Sequence, residues 1–265
     1  MFGGTVWEKV PGRDEVYLHV FHKKQPDLNW ENEEVRKELY DMVNWWLEKG
    51  IAGFRIDAIT FIKKDLTWKD READGVDGLA KCTKAARNQP GIGEFLNELK
   101  ENTFKKHDCM TVAEAPGVPY EELEEFIGED GYFSMIFDFR YADLDVASGS
   151  EWFKRVPWTI KDLNQKIMDS QMALQKCGWG ANFIENHDQP RAVSRFGNDG
   201  PMYRKLSAKM LATCLHMMKG TPYIYQGEEI GMTNAYFEKI EEYGISRVFM
   251  PLRMQWREIS WQKRI

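Results

Sequence analysis

The sequence predicts an α/β protein built on a parallel sheet. Short apolar runs recur along the chain, a polar loop follows each run, and longer segments with helical periodicity lie between them. Five such runs alternate with helical segments, which is the pattern of parallel βα units with right-handed crossovers. By itself this alternation fits a doubly wound sheet and a barrel equally well.

The predicted elements follow from where the apolar residues fall. The five predicted strands are residues 51–57, 109–113, 133–137, 181–184 and 222–225. The predicted helices are residues 33–49, 92–105, 161–176 and 204–218. Apolar residues recur every three or four positions in the first helix, and Gly50 is its natural end. Trp45 and Trp46 lie on this helix and are expected to pack against the core.

The alternation also predicts a division of the chain. Residues 1–30 contain Gly-Gly and Pro-Gly pairs and are expected to be a loop-rich excursion, while residues 31–240 carry the βα units. Residues 241–265 show no clear period and are predicted to be an irregular tail.

Composition argues against several functional classes: nucleic-acid binding, membrane association and metal binding by cysteines. The chain has 265 residues, with 36 basic and 42 acidic side chains, and this net charge of −6 argues against a nucleic-acid partner. No apolar run approaches the ~18 residues of a membrane span, and the first residues lack the features of a signal peptide, so the expectation is a cytoplasmic protein without a membrane partner. The four cysteines have no metal-site spacing: Cys82, Cys109, Cys177 and Cys214.

Polar residues follow the predicted strands directly, where α/β proteins place their active sites. Arg55 and Asp57 are two residues apart and therefore point to the same face of a strand. The guanidinium is expected to keep Asp57 ionised, as a nucleophile requires. A purely structural Arg–Asp pair is an equally good reading of this motif on its own.

A second carboxyl group, Glu114, ends the next predicted strand. Partial burial there is expected to raise its pKa and keep a proton available for a leaving group. A single Glu at such a place is more often a helix cap. Paired with Asp57 on another strand, it becomes a candidate general acid and base.

The densest polar stretch after a predicted strand is residues 185–191. A His beside an Asp is usually structural, but His187 and Asp188 also offer a donor and an acceptor to the vicinal hydroxyls of a sugar. Three carboxylates at three strand ends suggest cleavage of an acetal bond, which needs neither a metal nor another cofactor.

Three motifs occur in order: GFRIDA at 53–58, VAEA at 112–115 and NHD at 186–188. They resemble the second, third and fourth signature regions of the α-amylase family of glycoside hydrolases. QPDLNW at 25–30 is similar to a further signature of the oligo-1,6-glucosidase and α-glucosidase group of that family, and GTPYIYQGEEIG at 220–231 is similar to its last barrel strand.

The resemblance implies part of a (β/α)8 barrel, strands four to eight, preceded by part of an inserted loop-rich domain. It also implies a retaining two-step mechanism with Asp57 as nucleophile and Glu114 as acid and base. In that mechanism the Asp188 carboxylate binds the 2- and 3-hydroxyls of the sugar. Arg55 and His187 match residues of the first sugar subsite. Two further residues are predicted to contact substrate: Phe137, at a strand end, and Arg191.

The family's first signature region has no counterpart here, and only five strands are predicted. We therefore expect the chain by itself to be a weak or inactive catalyst that associates through exposed barrel edges. Ala58 stands where members that cleave α-1,6 bonds carry Val, so the resemblance leaves the choice between α-1,6 and α-1,4 bonds open.

The leading functional hypothesis is an α-glucosidase acting on terminal bonds of short gluco-oligosaccharides. Alternatives with the same three carboxylates are a trehalose-6-phosphate hydrolase and a sucrose isomerase. A non-catalytic, glucosidase-like binding module is the alternative from another class. A sugar-phosphate lyase or aldolase would need a Lys at a strand end, and none of the five runs ends in one.

Overall fold

A computed structural model of the protein describes residues 5–74, 78–146 and 155–239. The strands are β1 Trp7–Lys9, β2 Val16–Leu18, β3 Gly53–Ile56, β4 Met110–Ala113, β5 Met135–Phe137, β6 Gly180–Asn182 and β7 Thr221–Pro222. The α-helices are α1 Glu33–Glu48, α2 Thr83–Ala86, α3 Ile92–Asn102, α4 Leu123–Ile127, α5 Phe139–Ala142, α6 Ile160–Cys177, α7 Ala192–Phe196 and α8 Arg204–Met217. Short 3-10 turns are Ile59–Phe61, Phe104–Lys106, Tyr120–Glu122 and Glu228–Ile230. The predicted tail, 241–265, lies outside the described residues.

The predicted parallel sheet is confirmed. It has five strands in the order β3-β4-β5-β6-β7, and every neighbouring pair is parallel. Strand order follows chain order without a reversal, as in a barrel, whereas a doubly wound sheet reverses its order at a switch point. Within the described ranges β3 pairs only with β4 and β7 only with β6. The association expected through these edges stays a prediction.

The pairing of β3 with β4 brings two strand ends level. Gly53 pairs with Met110 and Ile56 with Ala113, so the next residues, Asp57 and Glu114, leave the sheet side by side. Gly53 has φ 147°, and a Cβ atom there would lie 1.7 Å from the Met110 carbonyl oxygen. Only glycine permits this close approach of the two strands.

The N-terminal excursion contains a hairpin that the sequence patterns did not predict. Strands β1 and β2 pair antiparallel, with Trp7 opposite Leu18. Gly12, with φ 77°, supplies the left-handed backbone of the connection. The Pro11-Gly12 pair between two short apolar stretches was the available signal.

Helix α1 begins where predicted and ends one residue earlier, but its two tryptophans do not pack as expected. Asn32 caps the helix by accepting the Glu34 N–H. Tyr40 and Leu47 form its buried face, whereas Trp45 and Trp46 are about half exposed. Residues five and six positions after Tyr40 lie roughly 140° and 120° around the helix from it, so both indoles point away from the core.

Helix α3 ends three residues earlier than predicted. Its buried residues are Ile92, Phe95, Leu96 and Leu99, the spacing of one helical face. The helix stops because Thr103 leaves helical backbone angles, and its hydroxyl donates to the Leu99 carbonyl at 2.6 Å. The buried face joins the largest core cluster, which includes residues of α1, β4, α4 and α6.

The chain divides into two compact units. The first comprises Met1–Tyr141, Gln165–Phe183 and Met217–Tyr223 and contains the whole parallel sheet. The second comprises Ala142–Asn164, Ile184–His216 and Ile224–Ile265. The division predicted at residues 30 and 240 stays a prediction. None of the helices in the described ranges combines the length and hydropathy needed to cross a membrane.

Candidate active site

The first unit brings two carboxylates onto one cation. The Arg55 guanidinium donates from Nη1 to Asp57 Oδ1 and from Nη2 to Glu114 Oε2. The same-face placement predicted for Arg55 and Asp57 is therefore confirmed. The side chain of Asp57 is 75% exposed and that of Glu114 only 17%. One carboxylate thus faces solvent while the other is largely shielded.

The shielding changes the protonation of Glu114. Burial raises its pKa from the ordinary 4.5 to about 7, and the hydrogen bond and negative charge of Asp57 act in the same direction. The positive charge of Arg55 opposes them. The predicted rise in pKa is confirmed, and near pH 7 this carboxyl group can either give or take a proton.

The backbone around this pair is fixed by the sheet. The Glu114 N–H donates to the Ile56 carbonyl at 2.9 Å, and the Ile59 N–H donates back to the Glu114 carbonyl at 3.1 Å. Between them Ala58 adopts a left-handed conformation, φ 44° and ψ 36°, which is unfavourable for a residue other than glycine. The turn therefore holds Asp57 beside Glu114 at some conformational cost.

The predicted sugar-binding pair lies in the second unit. His187 Nε2 is 3.4 Å from Asp188 Oδ2, and both side chains are more than half exposed. The Asp188 N–H donates to Asn186 Oδ1 at 2.8 Å, which fixes the backbone that carries the carboxylate. Both groups are accessible to a hydroxyl-bearing ligand.

Arg191 belongs to a cluster whose acidic members the sequence reasoning did not assign. Its Nη1 donates to Glu185 Oε1 and to the Gln226 carbonyl, each at 2.7 Å. Glu185 is only 2% exposed. Burial raises the pKa of a second acid in this unit, Glu228, to about 7, and the charge of Glu185 adds to the effect. The position of Glu185 directly after an apolar strand was the signal for its burial.

Phe137 ends β5 and is half-buried. Its ring packs edge-on against Phe183 and Tyr223, with centroids 5.3 Å and 4.8 Å away. A cavity of about 110 Å³ lies beside it, lined also by Ala115 and Asp138. Ligand pockets usually measure about 300–1,000 Å³, so this cavity does not enclose a sugar ring by itself.

The sequence predicts an active site without a metal ion. Across the described ranges, no group of three or more His, Cys, Asp or Glu side chains is arranged to hold a metal ion. The expectation of a site without a metal stays a prediction.

Three comparisons with known proteins bear on this geometry. The family described as "Alpha amylase, catalytic domain" matches residues 1–261. Oligo-1,6-glucosidase of Bacillus cereus is 50% identical over 243 residues, which are 91% of this chain and 43% of that protein. Trehalose-6-phosphate hydrolase of Bacillus subtilis is 45% identical over 244 residues, covering 91% of this chain and 42% of that protein.

A solved structure of a relative has the same fold as this chain. The crystal structure of trehalose-6-phosphate hydrolase from Bacillus licheniformis superposes with a TM-score of 0.85 at 40% identity, over 97% of this chain and 45% of that one. The chain spans less than half the length of these relatives. The predicted partial (β/α)8 barrel is confirmed, and the chain belongs to the α-amylase catalytic-domain family.

Proposed function

We propose that this chain carries the catalytic carboxylates of a retaining α-glucosidase that hydrolyses terminal α-glucosidic bonds of short gluco-oligosaccharides. The observation that carries the proposal is the shared Arg55 guanidinium, which places an exposed and a shielded carboxyl group side by side. Relatives named oligo-1,6-glucosidase support the substrate class. Bonds of the α-1,6 and the α-1,4 type both remain within the proposal.

In the first proposed step, an Asp57 carboxylate oxygen attacks the anomeric carbon and forms an ester. Arg55 stabilises the negative charge that this attack needs. Glu114 gives its proton to the glycosidic oxygen, and the leaving sugar departs as an alcohol. A pKa of about 7 leaves about half of the Glu114 carboxyl groups protonated at neutral pH.

In the second proposed step, the now ionised Glu114 takes a proton from water. The oxygen of that water bonds to the anomeric carbon and Asp57 leaves as a carboxylate, so two inversions give net retention. This chemistry requires a separation of about 5 to 5.5 Å between the two carboxyl groups.

The other predicted residues have proposed roles in sugar binding. Asp188 accepts hydrogen bonds from the 2- and 3-hydroxyls, and His187 donates beside it. Arg55 is also proposed to contribute to sugar binding. Phe137 offers a ring to a sugar face. A cytoplasmic location is also proposed, since the four cysteines, all within the described ranges, form no disulfide, as in a reducing compartment.

The test is release of glucose or p-nitrophenol by the purified 265-residue chain. Because the chain by itself is expected to be a weak or inactive catalyst, the assay uses near-stoichiometric protein and long incubations with p-nitrophenyl α-glucoside, isomaltose and maltose. Release that disappears in Asp57→Asn supports the proposal. Release that Asp57→Asn leaves unchanged overturns it.

A second candidate is a trehalose-6-phosphate hydrolase, because relatives of that name match the chain at 45% and 40% identity. Trehalose 6-phosphate in the same assay separates the two. Faster release from trehalose 6-phosphate than from isomaltose and maltose selects the second candidate.

A further inference from the structure

The loop that carries His187 and Asp188 is closed by a buried ion pair. Glu185 opens the loop, is 2% exposed, and accepts hydrogen bonds from Arg191 Nη1 and from the Ala192 N–H. Arg191 ends the loop. A carboxylate this deeply buried is costly unless it is paired, so its partner is fixed in place as well. The two ends of residues 185–191 are therefore held together.

Arg191 also fixes this loop to the segment after β7. Its Nη1 donates to the Gln226 carbonyl at 2.7 Å, and its guanidinium carbon lies 4.7 Å from the centre of the Tyr225 ring. Its backbone N–H donates to Asn234 Oδ1 at 2.8 Å. Lysine has a single ammonium group and cannot reproduce this combination of a planar stack and two directed hydrogen bonds.

The interior of the loop is held from another side. Gln189 donates from Nε2 to Asp143 Oδ1 and accepts from Arg195 Nη1, both at 2.7 Å. Along the chain, Asp188 lies between Glu185 and this anchor. Its backbone is thus restrained on both sides while its side chain stays exposed.

We propose that Glu185 and Arg191 are positioning residues that hold Asp188 in the orientation in which it binds the sugar. This inference rests on the function proposed above, in which Asp188 binds substrate. It gives Arg191 an indirect role in place of the direct substrate contact predicted from the sequence, because Arg191 Nη1 donates to Glu185 and Gln226 and the guanidinium stacks on Tyr225.

The first experiment does not depend on activity. Hydrogen–deuterium exchange of peptides covering residues 185–191 is measured in the full chain and in Arg191→Lys, with Glu185→Gln as a second variant that keeps the side-chain shape. Loss of a charge-assisted hydrogen bond is expected to speed exchange there by about tenfold or more. Exchange in the peptide covering α3 reports whether the rest of the protein is still folded.

Arg204→Lys is the matched control. Arg204 donates from Nε to the Gly231 carbonyl and from Nη2 to the Ile230 carbonyl, so it supports the segment after β7 without contacting residues 185–191. Its replacement is expected to leave exchange in those residues unchanged. Unchanged exchange in both Arg191→Lys and Glu185→Gln overturns the inference, whether or not the chain releases glucose.

The second experiment connects the loop to chemistry. Glucose release is compared in Asp188→Ala, Arg191→Lys and the double variant. If Arg191 acts through Asp188, the Arg191 change lowers the rate about tenfold in the original chain and has little further effect once Asp188 is gone. Additive losses overturn the positioning role even when exchange is faster. If the unaltered chain releases no glucose, the exchange result alone decides the inference.

Discussion

Replacing Glu114 by Gln should make the stability of the protein less sensitive to pH. The folded pKa of Glu114 is about 7, above its ordinary 4.5, so between these values the folded chain keeps a proton that the unfolded chain has lost. The free energy of unfolding therefore falls as pH rises from about 4.5 to about 7. Because Gln does not titrate, Glu114→Gln removes this decrease in the free energy of unfolding.

The size of the effect follows from burial. A rise from 4.5 to about 7 corresponds, at about 1.36 kcal/mol for each pH unit, to a ceiling of about 3 kcal/mol. The carboxyl group still reaches solvent, which screens its interactions, so we halve this value to about 1.5 kcal/mol. Glu114→Gln should thus gain about 1.5 kcal/mol relative to the original chain between pH 5 and pH 8.

The assay is urea unfolding followed by circular dichroism at pH 5 and pH 8. Glu121→Gln is the matched control, because it replaces an exposed carboxylate on a nearby turn by the same amide. If Glu114→Gln gives the same change in unfolding free energy at both pH values, the explanation of its raised pKa by burial is wrong.

Three further predictions concern the fold and the second unit. Gly53→Ala should lower the free energy of unfolding by about 3 kcal/mol, because its Cβ would collide with the Met110 carbonyl. Gly12 also has a left-handed backbone but has open space around it, so Gly12→Ala should cost only about 1 kcal/mol. Urea unfolding measures both. Leu96→Ala should cost about 3 kcal/mol in the same assay, since Leu96 is fully buried, and a loss below 1 kcal/mol would contradict the assigned core. Glu228→Gln should become progressively more stable than the original chain as pH rises from 4.5 towards 7, and an opposite trend in thermal unfolding would count against its raised pKa.

Much of the sheet and part of the site could be predicted because local patterns determine them. Parallel strands appear as short apolar runs, and a spacing of two residues fixes a common face, which is why Arg55 meets Asp57. The pKa of Glu114 follows from its place at the end of an apolar strand.

Other features depend on contacts between distant residues. The pairing of β1 with β2 and the exposure of Trp45 depend on which surfaces meet, and the apolar periodicity of α1 did not distinguish its two faces. Helix α3 ends where the Thr103 side chain competes for a backbone carbonyl. The partners of Arg191 include the Gln226 carbonyl, 35 residues away, which no local motif encodes.

The most direct test of the catalytic assignment is covalent trapping with 5-fluoro-α-glucosyl fluoride. In the expected reaction fluoride leaves the anomeric carbon as an Asp57 oxygen bonds to it, and the remaining ring fluorine slows hydrolysis of the ester. Peptide mass mapping should then find one fluoroglucosyl group, on the peptide that contains Asp57, and none in Asp57→Asn. A label on another residue, or a label that persists in Asp57→Asn, would contradict the assignment of Asp57 as the nucleophile.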